Sequence, residues 1–134
     1  MPADPSDPRA WIQRAYSNLR LAEKGKGKGV MLEDLCFNAQ QAAEKALKAV
    51  CLYKEQDFPK THSITRLIDV IAATGIKVPE QIKIADALTQ YAVQTRYPSP
   101  VEEIELEEYK ESLAIAARVV FWAEAIIEQK PNKK

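Results

Sequence analysis

The sequence predicts an all-α fold, an up-and-down bundle of four to five antiparallel helices, and three observations carry that prediction. Its eight prolines stand at 2, 5, 8, 59, 79, 98, 100 and 131, so they punctuate the chain and leave long proline-free stretches between them. Those stretches place apolar residues at helical spacing and contain few β-branched runs. At 134 residues, 46% of them hydrophobic and 28% charged, the chain suits one globular domain and is too short for two comfortable cores. The domain is expected over residues 9–128, with residues 1–8 read as a disordered N-terminus and 129–134 as a frayed basic tail.

The first helix should begin at Asp7-Pro8, where an N-cap aspartate precedes a proline in the first helical position, and run to about Lys24. Trp11, Ala15, Leu19 and Ala22 form its inner stripe, with Ile12 beside them. The glycine-lysine segment 25–29 ends it. A second helix is expected from about Glu33 to Tyr53, with Leu35, Ala39, Ala42, Ala46 and Val50 on one line and Phe37, Ala43 and Leu47 widening the apolar face. Gln41, Glu44, Lys45 and Lys48 recur at i, i+3, i+4 and i+7 on its other side, where Glu44 and Lys48 can pair.

A third helix, from about Ser63 to Thr74, buries Ile64, Leu67, Ile68 and Ile71 and stops at Gly75. The fourth starts near Pro79 and continues to about Thr95, its inner edge traced by Ile84 or Ala85, then Leu88, Tyr91 and Thr95. Prolines 98 and 100 must break it. The fifth, from about Ile104 to Glu128, repeats Leu106, Leu113, Val120 and Ile127 every seven residues, with Tyr109, Ala116 and Ala123 at the second heptad position. A further line of Ile115, Val119, Trp122 and Ile126 lies beside the first, so roughly 160° of this helix is apolar. It should therefore lie central in the bundle or pack against a second subunit.

Composition also limits function. Mean hydropathy is −0.33 and no apolar run approaches the roughly 20 residues of a membrane span, so no membrane association is expected. The N-terminus has acidic residues where a secretory signal needs basic ones before an apolar block, which makes a cytoplasmic location the default. Cys36 and Cys51 would stand about 22 Å apart in one helix, beyond the reach of a disulfide, and read as buried small hydrophobes. Two cysteines and one histidine spread in this way do not make a zinc site, and no motif asks for a cofactor.

Net charge is zero, yet its distribution is uneven. Arg14, Arg20, Lys24, Lys26 and Lys28 face only Glu23 across the stretch 14–28, whereas residues 102–111 hold six glutamates against Lys110. Each cluster reads either as a solvated face or as a surface for a partner.

Gly25-Lys-Gly-Lys-Gly29 lacks the strand and the Lys-Ser/Thr ending of a phosphate-binding P-loop, so a flexible interhelical turn is the expectation. What remains is a dispersed polar set: Gln40-Gln41-Ala-Ala-Glu44-Lys45, Thr61-His62-Ser63 and Thr95-Arg96-Tyr97-Pro98. His62, near a helix N-terminus, should tend to be neutral and able to accept a proton; Arg96, at a proline-kinked helix end, has a forked donor set suited to phosphate. The structural alternatives are a bystander histidine beside a capping Ser or Thr, and an arginine that pairs with glutamates or helix C-terminal carbonyls.

Taken together, the early Trp, the block Cys36-Phe-Asn-Ala-Gln-Gln-Ala-Ala-Glu-Lys-Ala-Leu-Lys48, then Thr61-His62-Ser63-Ile64 with Leu67, and Thr95-Arg96-Tyr97-Pro98 closely resemble the HEPN family of small prokaryotic helical proteins over about residues 9–128. The resemblance implies a dimerising helical bundle with a cleft at the dimer interface and association with nucleotides or RNA. It also implies a minimal nucleotidyltransferase as frequent partner, the two forming a toxin and an antitoxin. The candidate binding residues are Gln41, Glu44, Lys45, Lys48, Arg96 and Tyr97. Ribonuclease members of the superfamily carry Arg followed four to six residues later by His, and that motif is absent: Glu55, Gln56 and Asp57 precede His62, and Val101, Glu102 and Glu103 follow Arg96. Many relatives also continue Arg-Tyr-Pro with an acidic residue, where Ser99 stands here. Two rival functions follow: a metal-independent endoribonuclease using Arg96 and His62, and a non-catalytic interaction scaffold.

Overall fold

The computed structural model describes residues 4–25, 27, 29–92 and 104–128. Asp7 caps the first helix, its carboxylate accepting from the Arg9 amide at 3.0 Å, and Pro8 opens it, giving α1 over Pro8–Lys24. Ile12, Ala15, Leu19 and Ala22 line its buried face; Trp11 lies half-buried at the margin. At Gly25 a Cβ would sit 2.7 Å from both the Leu21 carbonyl oxygen and a Leu35 methyl group, so glycine is what lets the chain turn here against the next helix.

That helix, α2 (Leu32–Tyr53), is the centre of the molecule and touches α1, α3 and α5. Ala39, Ala42, Ala43, Ala46 and Ala49 are fully buried, and their small side chains let neighbouring helices approach from both sides. Cys36 and Cys51 are free and buried, as the spacing predicts. α3 (Ile64–Ala73) is capped by the Ser63 hydroxyl, which accepts from the Arg66 amide, and buries Ile64, Leu67, Ile68 and Ile71. Thr74 and then Gly75, at φ +99°, end it.

The fourth predicted helix is realised differently. One α-turn, α4 (Glu80–Lys83), passes into a 3₁₀ helix over Ile84–Tyr91. The inward positions explain why: Ile82, Ala85, Leu88 and Tyr91 recur every three residues, and only three residues per turn keeps such a line straight on one face. Ala85 is therefore the inner residue and Ile84 is exposed. Thr95, the expected end of this element, lies outside the described residues.

α5 (Leu106–Ile127) buries Tyr109, Ala116, Val119, Val120, Ala123 and Ile127. Leu113 is half-buried, whereas Leu106 at the head of the heptad line is exposed. Lys45 of α2 reaches Asn18 of α1 and Lys48 reaches Trp11, so these two helices run antiparallel. Tyr109 donates to the Ala22 carbonyl at 2.6 Å, Tyr16 to Glu124 at 2.5 Å, and Arg9 pairs with Glu128 at 3.4 Å, so α1 and α5 are antiparallel too. α2 and α5 consequently point the same way, and the α3–3₁₀ arm carries the chain back between them. Among the described residues there is no strand, and no helix is long and apolar enough to cross a membrane.

Candidate functional site

The polar residues of α2 meet α1 on one side and the segment before α3 on the other. Glu44 sits at the meeting point with only 3% of its surface exposed. Three donors converge on its carboxylate: Lys48 Nζ at 2.7 Å on Oε2, and Gln40 Nε2 at 2.9 Å and His62 Nδ1 at 3.1 Å on Oε1. Burial by itself would raise the Glu44 pKa, but the hydrogen bonds from Lys48, Gln40 and His62 outweigh it and hold the carboxyl below its ordinary value. The anion is thus the form the fold selects.

Gln40, fully buried, also donates to the His62 carbonyl at 3.4 Å and accepts from Gln41 Nε2 at 2.8 Å. Two contacts therefore fix His62, one to its ring and one to its backbone. The helix N-terminus is only half of its surroundings; an acceptor-only carboxylate against Nδ1 makes that nitrogen the proton carrier and leaves Nε2 with the lone pair in the neutral ring. The side chain is 59% exposed. Lys48 is clamped from the other side, with Nζ 5.2 Å from the Phe58 ring centre and 5.9 Å from that of Trp11. The two rings meet edge to face at 5.7 Å, and Trp11 Nε1 donates to the Pro5 carbonyl at 2.7 Å.

One turn away, Lys45 Nζ donates to Asn18 Oδ1 at 2.8 Å, and the Asn18 amide donates to Asn38 at 2.9 Å. Burial first, then the nearby Arg14 charge, push the Lys45 pKa down, and Glu44 offsets part of this. Of the residues the sequence singled out, Gln41, Glu44, Lys48 and His62 thus fall into one connected network, and Lys45 lies beside it on Asn18. Arg96 and Tyr97 lie outside the described residues. Sequence reasoning missed the depth of Gln40 and Glu44 and did not place Asn18, Arg14 or Phe58 near the stripe. A signal existed for part of this: Trp11, Arg14 and Asn18 share one face of α1 at i, i+3 and i+7. No group of His, Cys, Asp or Glu among the described residues could hold a metal ion.

Chemically, the network presents an ionised buried carboxylate, an oriented imidazole and cations at the seam between α1 and α2. A family model, the HEPN domain, matches residues 8–126. The chain is similar to TT1696 from Thermus thermophilus, a crystal structure with a TM-score of 0.73 and 34% identity that covers 87% of this chain and 95% of the other. It is also similar to ST0689, described as an archaeal HEPN homologue, with a TM-score of 0.70, 26% identity and coverage of 91% and 98%. Comparison with curated proteins returned no match. The Gln-Gln-Ala-Ala-Glu-Lys block of α2 and the Thr-His-Ser cap of α3 thus belong to a helical bundle shared over most of its length, and the chain is a member of the HEPN domain family.

Proposed function

We propose that this protein is a homodimeric cytoplasmic HEPN module that binds nucleotide or RNA, and that it partners a minimal nucleotidyltransferase in a toxin–antitoxin pair. The observation that carries the reading is the seam itself: Glu44 is engaged by Lys48 and His62, which leaves the Lys45 and Arg14 charges beside it with little opposing charge. Arg96 and Tyr97 belong to the proposed binding set with Gln41, Glu44, Lys45 and Lys48. Calorimetric titration with a nucleoside triphosphate and with a short single-stranded RNA tests the binding. Arg96→Ala should lower affinity by about 1–3 kcal/mol with an unchanged melting temperature, and Arg96→Lys should recover only part of it. Unchanged binding in the alanine variant sinks the assignment of Arg96. Co-expression with a nucleotidyltransferase encoded beside it, followed by sizing of the purified mixture, tests the partnership.

A second reading, a metal-independent endoribonuclease using His62 and Arg96, is favoured by one observation: Glu44 fixes the His62 tautomer, as a general base requires. The absent Arg-x4–6-His motif argues against it. Cleavage of RNA in the presence of a chelator, lost in His62→Gln, would establish it; intact RNA would remove it.

A further inference from the structure

Asn18, the residue that holds the Lys45 ammonium at 2.8 Å, lies one turn beyond Arg14 on the same face of α1. The seam thereby carries two cations close enough for the charge of one to act on the other, Lys45 half-buried and Arg14 exposed. Among the described residues no carboxylate pairs with either of them: the ion pairs formed are Arg9 with Glu128, Lys48 with Glu44, and Lys83 with Glu80, and His62 hydrogen-bonds Glu44. Lys45 bonds a neutral amide instead, and the guanidinium of Arg14 bonds no described group.

Such an arrangement is unfavourable as it stands. A lysine on a merely solvated face extends into water, whereas Lys45 is half-buried with its ammonium turned back onto α1 beside a second positive charge. Burial and the Arg14 charge both oppose its protonation, and the carboxylate that acts on it, Glu44, is already committed to three donors. An anion placed between the two cations relieves both costs at once. The donors are present: Lys45 has used one of its three N–H groups, and the Arg14 fork has five.

We propose that Arg14 and Lys45 form a phosphate-binding site on the α1–α2 seam, positioned by the Asn38–Asn18–Lys45 chain. The inference rests on the reading that the seam takes nucleotide or RNA and adds to it the residues that grip the phosphate, Arg14 foremost. Asn18 is a positioning residue: its oxygen sets Lys45 Nζ and its amide is anchored by Asn38 at 2.9 Å. Arginine offers two parallel hydrogen bonds to a phosphate and lysine a point charge, so the pair suits a non-bridging oxygen edge of a phosphate chain or a phosphodiester.

The test titrates the full chain with inorganic tripolyphosphate, with adenosine triphosphate and with a short oligouridylate lacking terminal phosphates. In wild type the Lys45 pKa, read by NMR after isotopic methylation of its amine, should rise when the anion binds. Arg14→Ala should weaken binding about tenfold and abolish that rise, with the melting temperature not lowered; Arg14→Lys should bind at an intermediate level. For the RNA arm, the salt dependence of binding should lose about 0.7 of its logarithmic slope. Response to tripolyphosphate and adenosine triphosphate alone assigns the site to nucleotide phosphates, and response to the oligouridylate assigns it to an RNA backbone. If the nucleotide or RNA binds and neither Arg14→Ala nor Lys45→Met weakens it, the Arg14–Lys45 site is wrong while the wider reading stands. If tripolyphosphate alone binds, sensitive to Arg14, the site stands and the nucleotide and RNA reading falls. Binding of none of the three overturns both.

Discussion

Turning the Glu44 carboxylate into an amide would leave Lys48, Gln40 and His62 one neutral oxygen in place of the anion they share. Glu44→Gln is therefore expected to cost about 3 kcal/mol in stability, the scale for breaking one partner of a buried ion pair, as read by chemical denaturation. The pH dependence follows from the direction of the Glu44 shift. Its pKa is lower folded than unfolded, so its contribution is fully present above the ordinary value of 4.5 and is lost as pH falls through the folded value. Wild type and Glu44→Gln should accordingly differ most near neutrality and converge in acid. A gap that stays constant down to pH 3 would mean that the carboxylate is not the group involved. At this scale part of the site was legible: Glu44 and Lys48 pair at i, i+4 as their spacing says. The depth of Glu44 was not, because a helical wheel places it at the edge of the polar stripe. Only the arrival of His62, eighteen residues later, and the packing of Trp11 and Phe58 close that edge.

The ends of helices show which elements a linear reading can bound. Asp7-Pro8, Ser63 and Gly75 acted as signals with local mechanisms, and α1, α2, α3 and α5 start and stop within about two residues of the expected positions. The fourth element was harder. Its three-residue apolar spacing was on view, yet nothing local says that burying Ala85 and Leu88 against α2 and α5 outweighs the better hydrogen bonds of an α-helix. α2 ends without a glycine. Glu55 takes the left-handed conformation at φ 59° while the Gln56 amide closes back to the Cys51 carbonyl at 2.9 Å. A side chain with a Cβ is disfavoured there, so Glu55→Gly should raise stability by about 0.5–1 kcal/mol, against the loss that glycine usually brings. A lower midpoint in thermal unfolding would show that the Glu55 side chain stabilises the turn by some other contact.

At the scale of the molecule, α5 raises the question of a second subunit. Its first turns carry Glu107, Lys110 and Glu111 outward, but its last half turns out Ala114, Arg118, Phe121 and Ala125, and Phe121 is 55% exposed beside Tyr16. Trp122, by contrast, is half-buried against the core, so the outer apolar residue is its neighbour. If the proposed homodimer forms through α5, Phe121→Glu should remain helical and its mass by light scattering should fall to the 15.1 kDa of one chain. A wild type of that mass removes the dimer. A dimeric, folded Phe121→Glu moves the interface elsewhere.

The parallel course of α2 and α5 has a consequence for how the chain is made. α1 and α2 are neighbours in sequence and can form a hairpin as soon as Tyr53 has left the ribosome, and that hairpin already contains Arg14, Asn18, Lys45 and Lys48. The helix that must cover its other side is the last of the described helices, and its bonds to α1 span 87 and 108 residues. At typical synthesis rates the nascent hairpin waits about 4–15 s for Ile127, its alanine face open to water and to any passing apolar surface. The polar face is thus assembled first and the core is closed last, so during synthesis this protein presents its charged seam before it is a bundle.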